Sequence, residues 1–483
     1  MLKRLVIVIF IVFGAFLTLC LYRTYAYDTS VVEEVPSTTD LEYTFKIGNS
    51  SIKQITVDSG ETRYYDIVLG NPNNAKISYS VYYEMVSPTT KPDGFSIGYT
   101  SKSTGTSTGK VDKNGNITLS IEASNTSSSA VTVKIGTVAG YVKGGELTLN
   151  SGQVVIPRQP TNFVEYLDDG TSGDSGSGVY KIEHSAIPAS SSATGTEIPA
   201  VTDYRYYGPN PNNYICLDME GSSTCPDKHL YRIIGSIYEE KENTNRIKVI
   251  KATLLTDGTT NGFSWDYTSS GSSDNIWATA TSGNYSNSLI SGASLMKLLN
   301  SGAWWNGTSG SYYNISMDEI SLNFTNYKLS DKAKSYITTS RYYLGGYNND
   351  PSKTNEVYGY ERGTLRYNAD RPLYWDGMVG LMYPSDYGYA AGNTCVNGTK
   401  LYDYKEGCMN KDWLYKTNIN QWFMSPGSGS LSSVFFCDYN GRVYDDFGCY
   451  HDIAVAPVFY LTSNTLITNG EGSLNNPYLI TLE

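Results

Sequence analysis

The chain has 483 residues, enough for about three structural units. Aromatic residues make up 13% of it, including 43 tyrosines, and this content excludes a long disordered chain because disordered segments are poor in aromatic residues. Its 36 basic and 47 acidic residues give a formal net charge of −11, which argues against nucleic-acid binding because that function needs a basic surface.

The first predicted element is a membrane-targeting segment at residues 1–27. Lys3 and Arg4 precede an uncharged apolar run over residues 5–22, which as a helix spans roughly 27 Å, close to the ~30 Å core of a bilayer. The positive-inside rule keeps the basic end in the cytoplasm and places the rest of the chain outside. We expect a single-pass anchor in the cell membrane, with secretion after cleavage behind Ala26 as the alternative.

Residues 41–157 have the pattern of one all-β module. The clearest strand is at residues 76–85, where apolar and polar side chains alternate, and turn signals such as Asn114-Gly115-Asn116 separate the strands. The same alternation occurs at residues 43–47, 65–69, 117–121 and 131–135. Several short strands at this spacing predict an immunoglobulin-like β-sandwich. The stretch from Asp58 to Tyr83 also resembles the β-sandwich surface proteins of Gram-positive bacteria that include the biofilm-fibre and camelysin type.

Residues 158–200 are rich in Ser, Gly, Asp and Pro. A segment this poor in apolar residues is expected to be a flexible linker. Within it, Gly173-Asp174-Ser175-Gly176 matches the nucleophile motif of trypsin-like serine proteases, in which the catalytic histidine precedes the serine. No histidine precedes Ser175 in this chain, so the motif predicts no protease.

All seven tryptophans and six of the seven cysteines lie in residues 201–483. We expect this region to be a separate α+β domain with the tryptophans in its core. Helical signals are limited to two stretches. Residues 294–299 place three leucines on one face, and Ser330 is a capping residue before a second short helix. The remainder predicts short strands and loops.

The six cysteines of this region fall into three close pairs in the sequence. Short-range disulfides are the simplest assignment, each worth up to ~3 kcal/mol in the chain-entropy model. The predicted pairs are Cys216 with Cys225, Cys395 with Cys408, and Cys437 with Cys449. There is no C-x-x-C pair, and the three histidines are far apart in sequence. We therefore expect neither a metal site nor a cofactor.

A set of motifs occurs in a fixed order along residues 204–483. The set consists of residues 231–235, 294–300, 379–390, 412–415, 421–422, 425–426 and 456–461. In this order it resembles a large group of secreted or anchored surface proteins of gut Firmicutes, whose C-terminal domain is similar to the C-type-lectin fold of formylglycine-generating-enzyme type. Members typically carry Val-Arg-Pro where this chain has Val455-Ala456-Pro457. The resemblance implies a lectin-like domain with a ligand-binding face near the C-terminus.

The sequence near the C-terminus is compatible with such a face. Asp438-Tyr439-Asn440-Gly441 separates two apolar stretches, and Asn-Gly is the strongest short signal for a β-hairpin. Tyr, Ser, Gly and Asn are also common in binding loops. The candidate ligand-binding residues are Ser428, Ser430, Tyr439, Asn440, Tyr444, Asp445, Tyr450 and His451. The alternatives are a tyrosine-rich turn that only covers the core, and a second candidate loop at residues 383–392.

We therefore expect a cell-surface ligand-binding protein of adhesin or receptor type. It would comprise a membrane helix, an immunoglobulin-like sandwich, a linker and a C-type-lectin-like head, and its partner would be an extracellular protein or glycan. We expect no enzymatic activity, since penicillin-recognising motifs occur only in the wrong order. The alternatives are a structural or matrix protein and a glycan hydrolase, which needs only two well-placed carboxylates.

Overall fold

The computed structural model describes residues 44–47, 54–73, 76–100, 102–105, 107–141, 147–157, 159, 161–168, 173–174, 177–269, 271, 274–278, 292–345, 352–363, 372–404, 406–427 and 432–483. The chain divides into two compact units, Met1–Thr161 and Asn162–Glu483. The described parts of both are mostly β-sheet, and the few, short helices described lie in the second unit. Among the described residues no helix is long and apolar enough to cross a membrane. The predicted membrane segment at residues 1–27 lies outside them.

The first unit contains two antiparallel sheets. The strands are β1 (Thr44–Ile47), β2 (Gln54–Val57), β3 (Glu61–Gly70), β4 (Ile77–Ser87), β5 (Phe95–Tyr99), β6 (Thr108–Val111), β7 (Asn116–Asn125), β8 (Val131–Tyr141) and β9 (Gln153–Val155). One sheet has the order β1-β3-β7-β5, and the other has the order β2-β8-β4-β6 with β9 also paired to β4.

The two sheets share one hydrophobic core. Ile67 and Leu119 of the first sheet and Val81 and Val133 of the second are fully buried in the same cluster. The alternation predicted at residues 76–85 is confirmed, because Ile77, Tyr79, Val81 and Tyr83 all enter this core. A two-sheet packing follows from the period of two along each strand, which turns every second side chain inwards.

The second unit is built around a large sheet. Its strands, with those of the smaller sheets, are β10 (Thr161–Asn162), β11 (Gly173–Asp174), β12 (Ser177–His184), β13 (Val201–Tyr207), β14 (Tyr214–Cys216), β15 (Leu230–Glu239), β16 (Thr244–Lys251), β17 (Ser309–Tyr313), β18 (Glu319–Asn323), β19 (Ile337–Thr338), β20 (Ser340–Tyr343), β21 (Tyr374–Gly377), β22 (Val379–Gly380), β23 (Gln421–Pro426), β24 (Ser433–Cys437), β25 (Val443–Gly448), β26 (Val458–Leu461), β27 (Thr465–Asn469) and β28 (Tyr478–Leu482). In the large sheet, strand β15 pairs with β13, β14 and β16. Strands β23-β24-β25 form a separate three-stranded sheet.

Short helices pack around this sheet. They are α1 (Phe163–Asp168), α2 (Ser294–Asn300), α3 (Ala303–Asn306), α4 (Asp331–Ser335), α5 (Thr354–Glu361), α6 (Pro384–Ala390), α7 (Asn393–Gly398) and α8 (Glu406–Met409), with 3-10 turns at Asp227–His229 and Leu401–Asp403. The two predicted helices are confirmed: three leucines of α2 are buried, and the Ser330 hydroxyl accepts a hydrogen bond from the Ala333 amide. The loop predicted at residues 383–392 is wrong, because α6 occupies it and is buried throughout.

The prediction of a flexible linker at residues 158–200 is wrong where the structure describes this segment. Phe163 and Leu167 of α1 are buried in the core of the second unit. Strand β12 pairs with β13 from Gly178 opposite Tyr207 to His184 opposite Val201. The Ser- and Gly-rich stretch at its centre dominated the composition, whereas the apolar residues on either side supply enough buried surface to order the chain.

Two of the three predicted disulfides are confirmed, and the third is wrong. Cys216 is bonded to Cys225, and Cys395 to Cys408. Cys437 and Cys449 are buried thiols instead. Cys437 lies beside Val443 at one end of β25, and Cys449 follows its other end. An extended strand of this length separates the two by roughly 20 Å, beyond the ~7 Å between Cα atoms that a disulfide permits.

Candidate functional site

The predicted hairpin near the C-terminus is present. Strand β24 is joined to β25 by residues 438–442, where the Asp438 carboxylate accepts hydrogen bonds from the amides of Asn440 and Arg442. Gly441 has a φ of 79°, a left-handed conformation that costs glycine little. Tyr439 at the tip is 56% exposed. The turn therefore holds its side chains outside the sheet.

A bulge in β25 changes which side chains share a face. Phe436 pairs with Tyr444 and Val434 with Phe447, so that β25 has one more residue between the pairs than β24. Such a bulge bends the strand and redirects side chains. As a result the Phe436 ring stacks on both Tyr444, at 6.1 Å between ring centroids, and Phe447, at 4.1 Å.

These rings belong to a longer series of contacts, here called the aromatic row. In contact order it consists of Tyr402, Tyr444, Phe436, Phe447, His451, Tyr450 and Tyr267. Centroid distances between successive rings range from 4.1 Å to 6.1 Å. Tyr402 is 39% exposed and Tyr450 is 36% exposed, whereas Phe436 is buried. The row thus has an exposed ring at or next to each end and is anchored in the core by Phe436.

The structure brings some of the predicted site residues together and separates others. Tyr444, Tyr450 and His451 are members of the aromatic row, whereas Tyr439 and Asn440 lie at the hairpin tip. Ser428 and Ser430 lie outside the described residues. Four ring neighbours of these residues were not predicted from the sequence: Tyr267, Tyr402, Phe436 and Phe447. No local spacing signals them, because the bulge and contacts between distant segments assemble the row.

Charged groups flank the row. The Arg442 guanidinium donates a hydrogen bond to the Tyr444 hydroxyl at 2.9 Å. Asp445, in the bulge, is only 9% exposed. Burial, with a smaller contribution from the charge of Asp446, raises the pKa of Asp445 to about 6. The bulge therefore places a buried carboxyl with a raised pKa, Asp445, next to an exposed one, Asp446.

A buried ion cluster lies elsewhere in the second unit. It consists of the charged side chains Asp203, Arg205, Lys248 and Asp386, together with His184, which is hydrogen-bonded to Asp203. All five side chains are at most 6% exposed. Burial raises the pKa of Asp386, but the charges of Lys248 and Arg205 outweigh it and hold that pKa below its usual value. Because each charge has an opposite neighbour, the cluster is a structural link between β12, β13, β16 and α6.

Three side chains between β14 and β15 have the chemistry of metal ligands: Asp218 and Glu220 in the loop closed by the Cys216–Cys225 disulfide, and His229 in the 3-10 turn that follows it. Donor atoms of Asp218, Glu220 and His229 lie within 4.8 Å of one another. The Glu220 carboxylate accepts hydrogen bonds from His229 at 3.1 Å and Lys228 at 2.9 Å, and Asp218 accepts one from Ser330 at 2.6 Å. These protein donors already satisfy the carboxylates, so the group is an ion-paired cluster in this structure.

Comparisons with known proteins identify no relative. No family model, no curated protein and no solved structure matches this chain. The resemblances described from the sequence motifs therefore stay predictions.

Proposed function

We propose that this protein is held at the cell surface and binds an extracellular protein, in the manner of an adhesin or receptor. The binding surface comprises the aromatic row and Tyr439 at the tip of the β24-β25 hairpin. The observation that carries the proposal is the unbroken ring contact from Tyr402 to Tyr267, with Tyr402 and Tyr450 partly exposed. In this proposal the first unit is an immunoglobulin-like stalk, and the second is a lectin-like head.

Stacked aromatic side chains suit protein recognition for an energetic reason. Tyrosine offers a large amphipathic surface and has few rotatable bonds, so its ordering on binding costs little entropy. Rings such as Tyr450 and His451, whose centroids are 4.6 Å apart, already restrain each other before a ligand arrives. This preorganisation lowers the cost of association further.

The composition around the row also resembles that of protein interfaces. An aromatic centre is bordered by the exposed Asp446, the half-buried Arg442 and the exposed turn residue Asn440. Protein interfaces commonly have such an aromatic core with a polar rim. Charged groups at the rim would contribute more to partner choice and association rate than to affinity.

The cysteine chemistry supports an extracellular setting. The two disulfides, Cys216–Cys225 and Cys395–Cys408, are of a kind that persists in oxidising compartments. The expected membrane segment at residues 1–27 would then hold the head outside the cell.

The proposal is tested with an array of extracellular proteins and glycans probed with the full chain. We expect a protein ligand whose binding is lost when Tyr439 and Tyr450 are both replaced by alanine. Hot-spot aromatics cost ~2 kcal/mol or more each, which is about 30-fold in affinity per residue. Because both side chains are exposed, the free energy of unfolding should change by less than ~0.5 kcal/mol for each.

Tyr64→Ala is the matched control, since Tyr64 lies in the first unit and is 71% exposed. This variant should bind like the unmodified chain. A folded Tyr439→Ala/Tyr450→Ala variant that still binds the array ligand with full affinity would contradict the proposal. If only glycans bind, and their binding depends on these tyrosines, the ligand of this surface is a glycan and not a protein.

A further inference from the structure

A cleft of 440 Å³ opens beside strand β12, away from the aromatic row. One wall is formed by residues 180–187, and the other by residues of α5, α6 and α7. All of the lining residues belong to the second unit. The volume is within the range of ~300–1,000 Å³ found for small-molecule sites in proteins.

The aromatic part of the cleft is rigidly held. The His184 and Tyr358 rings are parallel, with centroids 3.7 Å apart and an interplanar angle of 4°. His184 Nε2 donates to the buried Asp203 carboxylate at 3.0 Å, and Arg205 donates to the same oxygen at 2.8 Å. Because Nε2 is hydrogen-bonded to Asp203, Nδ1 is the ring nitrogen of His184 that remains to bond to another partner.

A second group in the cleft also needs a partner. Tyr389 lines the cleft and is 1% exposed, and within the described part of the chain its hydroxyl has no hydrogen-bond partner. Buried hydroxyls in native proteins are almost always hydrogen-bonded to protein, water or ligand. A ligand hydroxyl in the cleft would satisfy this group.

The rim of the cleft is polar without a net charge. Asn355, Asn393 and Asn397 are exposed, and each carboxamide can both donate and accept hydrogen bonds. The charged pair Lys181 and Glu183 is internally neutralised, with 2.7 Å between Lys181 Nζ and Glu183 Oε1. Such a surface favours a neutral molecule rich in hydroxyl groups over an ionic one.

We propose that this cleft is a second binding site, which takes a short neutral oligosaccharide. The ligand packs against the His184 and Tyr358 side of the cleft, and its hydroxyls bond to the asparagine rim and to the Tyr389 hydroxyl. None of the lining residues belongs to the aromatic row, so the site functions independently of the protein-binding surface.

Ligand-detected saturation-transfer NMR with the full chain tests the site. The probes are maltose, cellobiose, lactose and N,N′-diacetylchitobiose at millimolar concentration. We expect at least one disaccharide to receive saturation, and the Asn393→Ala/Asn397→Ala variant to bind it about tenfold more weakly. A chain that binds none of the four probes would overturn the proposal.

The matched control is Asn261→Ala/Asn475→Ala, which removes two exposed carboxamides outside the cleft. It should bind the disaccharide like the unmodified chain, and so should the Tyr439→Ala/Tyr450→Ala variant. Equal affinity in the cleft variant and this control would refute the cleft as the site. Loss of sugar binding on replacing Tyr439 and Tyr450 would instead assign the sugar to the aromatic row.

Discussion

Arg205 and Asp386 are 181 residues apart in the chain, yet Nη1 of the arginine lies 2.7 Å from Oδ1 of the aspartate. The contact joins β13 to α6 in the middle of the second unit. The other carboxylate oxygen of Asp386 accepts a hydrogen bond from Lys248 at 2.5 Å. Asp386 therefore contacts two buried cations, of which Arg205 also pairs with Asp203. A buried charge so placed is costly to remove without its partners.

Replacing Asp386 by alanine should destabilise the second unit severely. The change leaves Arg205 and Lys248 buried with less compensation, and breaking a buried pair in this way costs ~3–5 kcal/mol. Urea unfolding followed by circular dichroism measures the effect. The control is Asp376→Ala, which breaks the more exposed pair with Arg341 and should cost at most about 1 kcal/mol. Similar losses of unfolding free energy in the two variants would show that the buried cluster contributes no more to stability than the exposed pair.

Glu361 should make the protein less stable as the pH rises towards neutrality. Burial raises its pKa to about 7, although Arg362 and hydrogen bonds from Ser385 lower it in part. In the unfolded chain a glutamate has a pKa of ~4.3. Between these values the folded state holds a proton that the unfolded state has released, so folding loses stability with increasing pH across this window.

The Glu361→Gln variant removes this dependence. From pH 4 to pH 8, the stability of the unmodified chain should fall by roughly 3 kcal/mol relative to that of the variant. Urea unfolding at a series of pH values provides the measurement. Glu356→Gln, on the exposed side of the same helix, controls for the loss of a carboxylate. A constant difference between the unmodified chain and Glu361→Gln across the range would contradict the prediction.

The start of the second unit can be located by truncation. A chain of residues 162–483 should unfold cooperatively, whereas one of residues 201–483 should be much less stable. The shorter chain lacks Phe163, Leu167 and Val179, all of which are buried in the core, and each such side chain contributes about 1.5–3 kcal/mol when fully buried. Thermal unfolding compares the two. Equal midpoints would restore the linker interpretation of residues 158–200.

Gly448, near the bulge, should be required for the position of the Tyr450 ring in the aromatic row. A Cβ atom at Gly448 would lie 2.2 Å from the Tyr450 ring, so Gly448→Ala must displace that ring. We expect the affinity for the array ligand to fall about as far as in Tyr450→Ala, with binding measured by surface plasmon resonance. Gly398→Ala is the control, because a Cβ there meets no atom within 4 Å. Unchanged binding by Gly448→Ala would show that Tyr450 is not part of the ligand site.

Several features were predictable because they depend on neighbours in the sequence. The alternation in β4 determines which side chains face the sandwich core, and the leucine spacing in α2 determines its buried face. The turn at Asn440-Gly441 needs only a residue that accepts a positive φ. The disulfides Cys216–Cys225 and Cys395–Cys408 close short loops, for which proximity in sequence implies proximity in space.

Contacts between segments that are distant in the sequence could not be predicted, because local spacing does not encode them. Phe447 reaches the Phe436 ring only because a bulge shifts the register of β25, and Cys437 and Cys449 lie at opposite ends of that strand although they are close in sequence. His184 and Tyr358 stack across 174 residues of sequence separation. The strand and helix periods, the turns and the short loops depend on residues that are close in the sequence, and so they could be predicted from it. Which helices and strands pack against each other depends on how well their buried surfaces fit. The packing free energy involves all the elements at once, so it cannot be derived from any one segment of the sequence.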